Sequence, residues 1–441
     1  MTVTATLNGA YDTVANAAGT GTSVTPATPG LWPDPATVGP YPVSIWPTSV
    51  AYTSSNGMRA MVTAKTAGVL TIERQTEGSS SRNIQIGDQM MLGWGAQDAQ
   101  SSLMNGERNL LINPGFQFAQ ALGTSASTLA TGGAHGPDGW YVLTQTGNCT
   151  YARGTPPNSP AKGLFNGVLT NAAGSAQRLL MLQVIPNVRT QALRGEPIRA
   201  EVMLASDVTV NGRVAILEWT GTADSVTKTI IDTWTSTTYT PGAGNFFSST
   251  TKNLVGVSGS VALTTAPAIV TARGVVGASA NNLIIVAWTE GTIANSAVLT
   301  LQDAWCVPDV VHAPYTPRDR ASEIRLCQQY YCKSFELSTA PAQNVGVNTG
   351  YHYFPATIAG ANLNILGRVY YPVPMRATPT VTTYNPAAAN AQIRDLTNSV
   401  DFSATTVNNQ NSQGHSMFGT GNAGTTVGAA LAVHWTADAR L

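Results

Sequence analysis

Apolar and polar residues alternate with a period of two along most of this chain, the signature of strands that bury one face and wet the other. In 198–202, Ile198, Ala200 and Val202 point to a core while Arg199 and Glu201 point to water. Further strands are predicted at 140–144, 179–184, 213–219, 282–288 and 298–302, separated by turns rich in Gly, Pro, Asn and Ser. No helical period interrupts them, which excludes a parallel α/β fold. The number and length of the segments suit a two-sheet antiparallel jelly roll over residues 107–315.

The period changes once. Residues 316–334 read as a connecting helix, with Thr316 able to cap, Pro317 suited to the first turn and Asp319 placed to face the N-terminal dipole. Ile324, Cys327, Gln328 and Tyr331 recur on one helical face. So short a helix is marginal alone, so it needs a packing partner. The segment is also unusually charged. Only 10% of residues are Asp, Glu, Lys or Arg, yet Arg318, Asp319, Arg320, Glu323 and Arg325 fall close together.

Residues 335–441 again read as β and form a C-terminal tip domain, with strand candidates at 351–355, 368–374 and 378–384 whose prolines suit sheet edges. Residues 387–390 and 408–414 read as exposed loops, and Gly419 to Gly424, which matches Gly-x-Gly-x-x-Gly with no βαβ unit around it, as a flexible one. Upstream, residues 59–106 form a small β module with a short helical connector at 95–104. Residues 1–58 carry only Asp12 and Asp34 as charges and a middle rich in Pro and aromatics, including Trp32, Tyr41 and Trp46. Such a segment lacks the charge that keeps a disordered arm solvated, so it reads as an arm that docks on another protein. The expected fold class is therefore mainly β: a multi-domain antiparallel β-sandwich or jelly roll with one short connecting helix.

Charge and motifs narrow the function. Lys plus Arg equals Asp plus Glu at 23 each, so no overall field draws nucleic acid or an anionic membrane. No basic n-region precedes an apolar stretch, since the first basic residue is Arg59, and no run reaches a membrane span. Cys149, Cys306, Cys327 and Cys332 are too scattered for a disulfide scaffold, with Cys327 and Cys332 read as a reduced packing pair. His135, His312, His352, His415 and His434 stand apart, with no metal-binding spacing among them, and no cofactor is expected. Asp303 shares, by alternation, the side of Leu299, Leu301 and Trp305, where a buried carboxylate calls for a hydrogen-bond network or a calcium ion. No catalytic motif stands out, and the chain is not expected to be an enzyme. Sugar recognition uses aromatic faces beside amides and carboxylates. The last domain offers Tyr351, His352, Tyr353, Tyr384 and Asn385 as receptor candidates, with Phe354, Tyr370 and Tyr371 nearby.

Several segments together resemble structural proteins of bacteriophages. Residues 109–116, Asn-Leu-Leu-Ile-Asn-Pro-Gly-Phe, resemble the opening of a carbohydrate-binding-module-like jelly roll found in tail fibres, and Pro137-Asp-Gly-Trp140 resembles the Asp-x-Trp turn after it. Residues 299–305 and 313–318 are similar to its closing strand and exit, and 323–331 to the Leu-Cys-Gln-x-Tyr-Tyr helix that follows. Residues 371–381 resemble the C-terminal β domain, and 71–78 with 86–88 a module near fibre N-termini. The closing strand departs from the pattern at Cys306-Val-Pro-Asp-Val-Val.

The resemblance implies a tail fibre in the virion, made in the bacterial cytoplasm. It implies a homotrimer, attached to other virion proteins through its N-terminal region and presenting β domains to a host surface polysaccharide. A three-fold axis would give the helix its partner, at Ile324, Cys327, Gln328 and Tyr331. A tailspike depolymerase and a head-fibre or baseplate component without receptor role are the alternatives.

Overall fold

The computed structural model describes residues 11–16, 22–29, 32, 34–38, 41–47, 58–75, 84–85, 88–92, 109–155, 163, 165–309, 315–346 and 349–441. They divide into two compact units, one holding the described residues up to 92 and the other those from 109 onward.

In the first unit six strands close a barrel in the order Tyr11–Asn16, Ser23–Pro26, Val69–Gln75, Met58–Thr66, Tyr41–Trp46, Gln89–Leu92. Ala67 and Gly68, both at positive φ, make the tight hairpin between the third and fourth of these, the geometry a two-residue turn requires. Residues 1–58 were expected to be an arm that docks on another protein, and their described part is folded instead. Residues 11–46 supply three of the barrel strands, and Trp32 is buried among Val24, Val43, Val62 and Leu70. The low charge and aromatic content that suggested an external partner are satisfied by strands of the same chain. Tyr41 and Trp46 lie in the strand Tyr41–Trp46, and their side chains, like the connector predicted at 95–104, fall outside the described residues.

The second unit begins with an antiparallel sandwich. Its six-stranded sheet runs Ala268–Val275, Pro197–Ser206, Val298–Pro308, Asn166–Asn171, Cys149–Gly154, Ser127–Leu129. A seven-stranded sheet faces it, in the order Lys252–Val257, Val210–Trp219, Asn282–Thr289, Leu179–Ile185, Trp140–Thr144, Ala134–His135, with Val261–Leu263 beside Val210–Trp219. Between them Ile198, Ala200, Val202, Leu299 and Leu301 meet Trp140, Met181, Val214, Ile216 and Ile285. Arg199 departs from expectation. It is buried rather than solvated, with Glu201 at 3.3 Å and Asp309 at 3.5 Å as its counter-charges.

The outer face of the seven-stranded sheet is also dry. Leu180, Leu182, Leu217, Val286 and Trp288 are covered by Ile230, Tyr239, Phe246 and Phe247 from residues 220–251. This excursion between Val210–Trp219 and Lys252–Val257 has almost no regular structure, and an aromatic cluster holds it down. The Phe246 ring stacks on Trp288 at 5.2 Å and meets Phe247 and Tyr239 edge-on at 5.0 and 5.5 Å.

The helix forms at Arg320–Gln328, and shorter helical turns at Pro35–Val38 and Asn187–Thr190 accompany it. Its cap is Asp319 rather than Thr316, accepting from the backbone N–H groups of Ala321 and Ser322 at 2.9 and 3.1 Å. Arg318 is buried, its guanidinium held by Glu323 and by the carbonyls of Leu111 and Asn109, which keeps the preceding residues out of the helix.

The C-terminal domain is built on the strand Ala430–Asp438, which pairs with Tyr331–Lys333, His352–Pro355, Thr380–Tyr384 and Arg394–Asp395. A second sheet, Leu363–Tyr370, Gly414–Thr420, Ala404–Asn411, packs against it through Leu366, Val369 and Met417 onto Leu431, Val433 and Trp435. Gly419 belongs to this sheet, tight against Ile393 and Phe402, and the expected loop at 408–414 is mostly strand.

Candidate functional site

The segments 109–116, 137–140 and 318–331 converge on one buried network. Asn113 takes a left-handed backbone, φ 53°, and its amide donates to the carbonyls of Phe118 and Asp138 at 2.7 and 3.1 Å. Its own carbonyl accepts the Trp140 indole N–H at 3.2 Å, and its N–H donates to Glu323 at 2.6 Å. The Asp138 carboxylate accepts from the backbone and side chain of Gln120 at 2.8 and 2.7 Å. Burial raises the Asp138 pKa, opposed by those bonds and by the positive charges of Arg440 and Lys333. These residues join the sandwich to the helix, so their role is architectural.

The helix face proposed for a three-fold axis is occupied within the chain. Ile324, Cys327 and Tyr330 pack with Ile112 and Phe118 of the sandwich opening. Tyr331 is not helical. It begins the strand Tyr331–Lys333, buried, with the Arg440 guanidinium 4.7 Å from its ring centre. Gln328 is half-buried at the helix end. Cys327 and Cys332 are both free and buried but belong to different cores, and burial pushes the Cys332 thiol up to about 12.

Asp303 falls in a β-bulge. Its strand pairs Met203 with Gln302 and Glu201 with Trp305, so the inserted residue breaks the alternation and puts Trp305 on the face opposite Leu299 and Leu301. With φ at 30°, Asp303 accepts the Gly163 N–H at 2.8 Å.

The receptor candidates of the last domain separate sharply. Asn385 is 0% exposed and spent. Its amide donates to Asn390 and Asp401, and its carbonyl oxygen accepts from Ala387 and Ala388. Tyr384 is half-buried, edge-on to Phe335 at 5.3 Å, and Tyr351 edge-on to His434 at 6.4 Å. His352 lies 4.2 Å from the Phe354 ring, its pKa lowered by burial. Tyr353 is 54% exposed, on the outward side of its strand.

The more accessible chemistry lies on the outer face of the three-stranded sheet. Along Leu363–Tyr370, Leu363, Ile365, Arg368 and Tyr370 point away from the core, opposite Thr420, Phe418, Ser416 and Gly414. Tyr370 is 71% exposed, with the Arg368 guanidinium 5.5 Å from its ring centre. Arg368 is fixed by a 2.9 Å bond to the Asn411 amide oxygen. An exposed ring beside a planar cation and hydroxyl and amide side chains can stack on a sugar ring and read its hydroxyls. Period-two reading alone does not locate this face, because a bulge between Ile365 and Gly367 moves Arg368 and Tyr370 onto the side of Ile365.

No family model matches the sequence, and no curated protein matches it. Among solved structures, the module TmCBM61 in complex with β-1,4-galactotriose is 10% identical over 46% of this chain and 99% of its own, with a TM-score of 0.25. The enzymatically active domain of tailspike protein 4 of bacteriophage CBA120 is 10% identical over 46% of this chain and 21% of its own, with a TM-score of 0.25. A CBM4 module is 12% identical over 45% of this chain and 98% of its own, also with a TM-score of 0.25.

Proposed function

We propose that this chain is a bacteriophage virion fibre protein that binds a host surface glycan through the outer face of its C-terminal three-stranded sheet. One observation carries the binding part: Tyr370, largely exposed, is braced by Arg368, itself anchored on Asn411. Holding an aromatic ring in the solvent this way costs burial that the fold leaves unclaimed, which is expected of a recognition surface. The virion part rests on the ordered resemblance of residues 109–116, 137–140, 299–318 and 323–331 to phage fibre proteins. On this reading the protein acts by binding rather than catalysis, assembles as a homotrimer, and joins the particle through its N-terminal unit.

The test is a glycan array probed with the full chain. Tyr370→Ala and Arg368→Ala are expected to lower binding at least tenfold while leaving the melting temperature within a few degrees, because both side chains are on the surface. Unchanged binding in both variants overturns the assignment of the face. Release of reducing ends from a bound polysaccharide would replace binding with depolymerase activity.

A further inference from the structure

A cleft of about 250 Å³ opens where the sandwich, the start of the helix and the turn after Tyr331–Lys333 come together. Phe118 and Gln120 form one wall, Arg153 and Arg320 flank it, and Glu336 and Leu337 close the other side. The two sides are stitched, not merely adjacent. The Lys333 ammonium donates to the Gln120 carbonyl at 2.7 Å, and the Thr124 N–H to the Ser338 carbonyl at 3.1 Å. Gly123, at φ 73°, lets the two backbones meet, since a Cβ there would stand 2.8 Å from the Ser338 oxygen and the Ala340 nitrogen.

Three residues lining this cleft carry polar groups that the described residues do not fully satisfy. The Gln120 amide N–H groups are committed to Asp138 at 2.7 Å and to the Tyr331 carbonyl at 2.9 Å, both acceptors, which fixes the amide's orientation. Its oxygen, on a side chain 1% exposed, has no partner among the described residues. A buried acceptor left so is costly unless something donates to it. Arg153 donates to the Gln117 carbonyl at 2.7 Å and lies over Phe165, and Arg320 lies 5.4 Å from the Phe118 ring centre. Neither guanidinium forms an ion pair among the described residues. Arg320, moreover, is the first residue of its helix, where the dipole disfavours a cation, so helix stability does not explain it.

A matching ligand carries a carboxylate for the two guanidinium groups, a hydroxyl that donates to Gln120, and an apolar ring face for Phe118 and Leu337. We infer that the cleft binds a single uronic acid residue of an acidic polysaccharide. Its volume lies just under the range of drug-sized pockets, about 300–1,000 Å³, and suits one ring rather than a chain. The inference rests on the glycan-recognition reading and adds to it a second site and the acidic class of its sugar.

The experiment is titration calorimetry of the full chain with D-glucuronate, D-galacturonate, D-glucose and inorganic phosphate. At least one uronate should bind, with glucose and phosphate at least tenfold weaker. Arg153→Gln and Arg320→Gln should each weaken it about tenfold, and Val427→Ala, exposed and outside the cleft lining, should leave it unchanged. Equal binding of glucose or phosphate, or unchanged uronate binding in the double arginine variant, overturns the proposal. If neither uronate binds while array glycans still bind in a Tyr370-dependent way, the cleft falls and the sheet face stands. Uronate binding with an empty array reverses that result.

Discussion

The Glu323 carboxylate accepts the backbone N–H of Asn113 at 2.6 Å while holding the Arg318 guanidinium at 3.0 Å. One acid thus ties the helix to the first loop of the sandwich, and both charged groups are almost out of water. Removing one member of a buried pair strands the other charge, at a cost of about 3–5 kcal/mol. Glu323→Ala is expected to destabilise the protein by that amount in chemical denaturation. The double change Glu323→Leu with Arg318→Met should cost clearly less than the two single changes summed. A loss below about 1 kcal/mol for Glu323→Ala would mean that something else holds the junction.

Phe246 sits at the centre of the aromatic lid over the seven-stranded sheet. Truncation of a buried phenylalanine costs about 3–5 kcal/mol. Because residues 220–251 carry so little regular structure, Phe246→Ala should also loosen them selectively. Limited proteolysis should cut between 220 and 251 in the variant under conditions where the parent chain stays intact, and cleavage elsewhere first would contradict this role.

Histidine burial predicts the acid response. His415 is lowered to about 4 and His135 to about 3, in both cases first by desolvation, and His352 and His434 are lowered for the same reason. A histidine whose folded pKa lies below the ordinary 6.5 binds its proton more readily when unfolded, so stability is held above pH 6.5 and falls as the pH drops from there towards 4. Melting temperatures from pH 7 to 4 should therefore decline. His415→Leu, beside Trp435 and with the 3.0 Å bond to the Tyr371 hydroxyl removed, should flatten part of that decline. A slope identical to the parent would show that other groups carry it.

The strand at 198–202 was legible because apolar Ile198, Ala200 and Val202 alternate with charged Arg199 and Glu201, and the helix because its charge and 3–4 spacing contrast with everything around it. The rest was hidden for identifiable reasons. A single inserted residue at Asp303, and another between Ile365 and Gly367, exchanges the two faces of a strand without altering its composition. The barrel strands within 11–46 carry a single charge, Asp12, so burial by the chain itself and burial by a partner read alike. Arg199 looked solvated because its counter-charge Asp309 is remote in sequence. The cleft is assembled from residues as far apart as Phe118 and Leu337, and no local period can signal it.

The strand Ala430–Asp438, on which its whole sheet depends, pairs its last residue, Asp438, with Tyr331, more than a hundred residues earlier. During synthesis Tyr331, His352 and Thr380 leave the ribosome well before the strand that will organise them, and loop closure over such distances is slow. The sandwich, complete by Pro308, is free to form early. The sheet around Ala430–Asp438 would therefore mature last, after the sandwich has already become a scaffold for it.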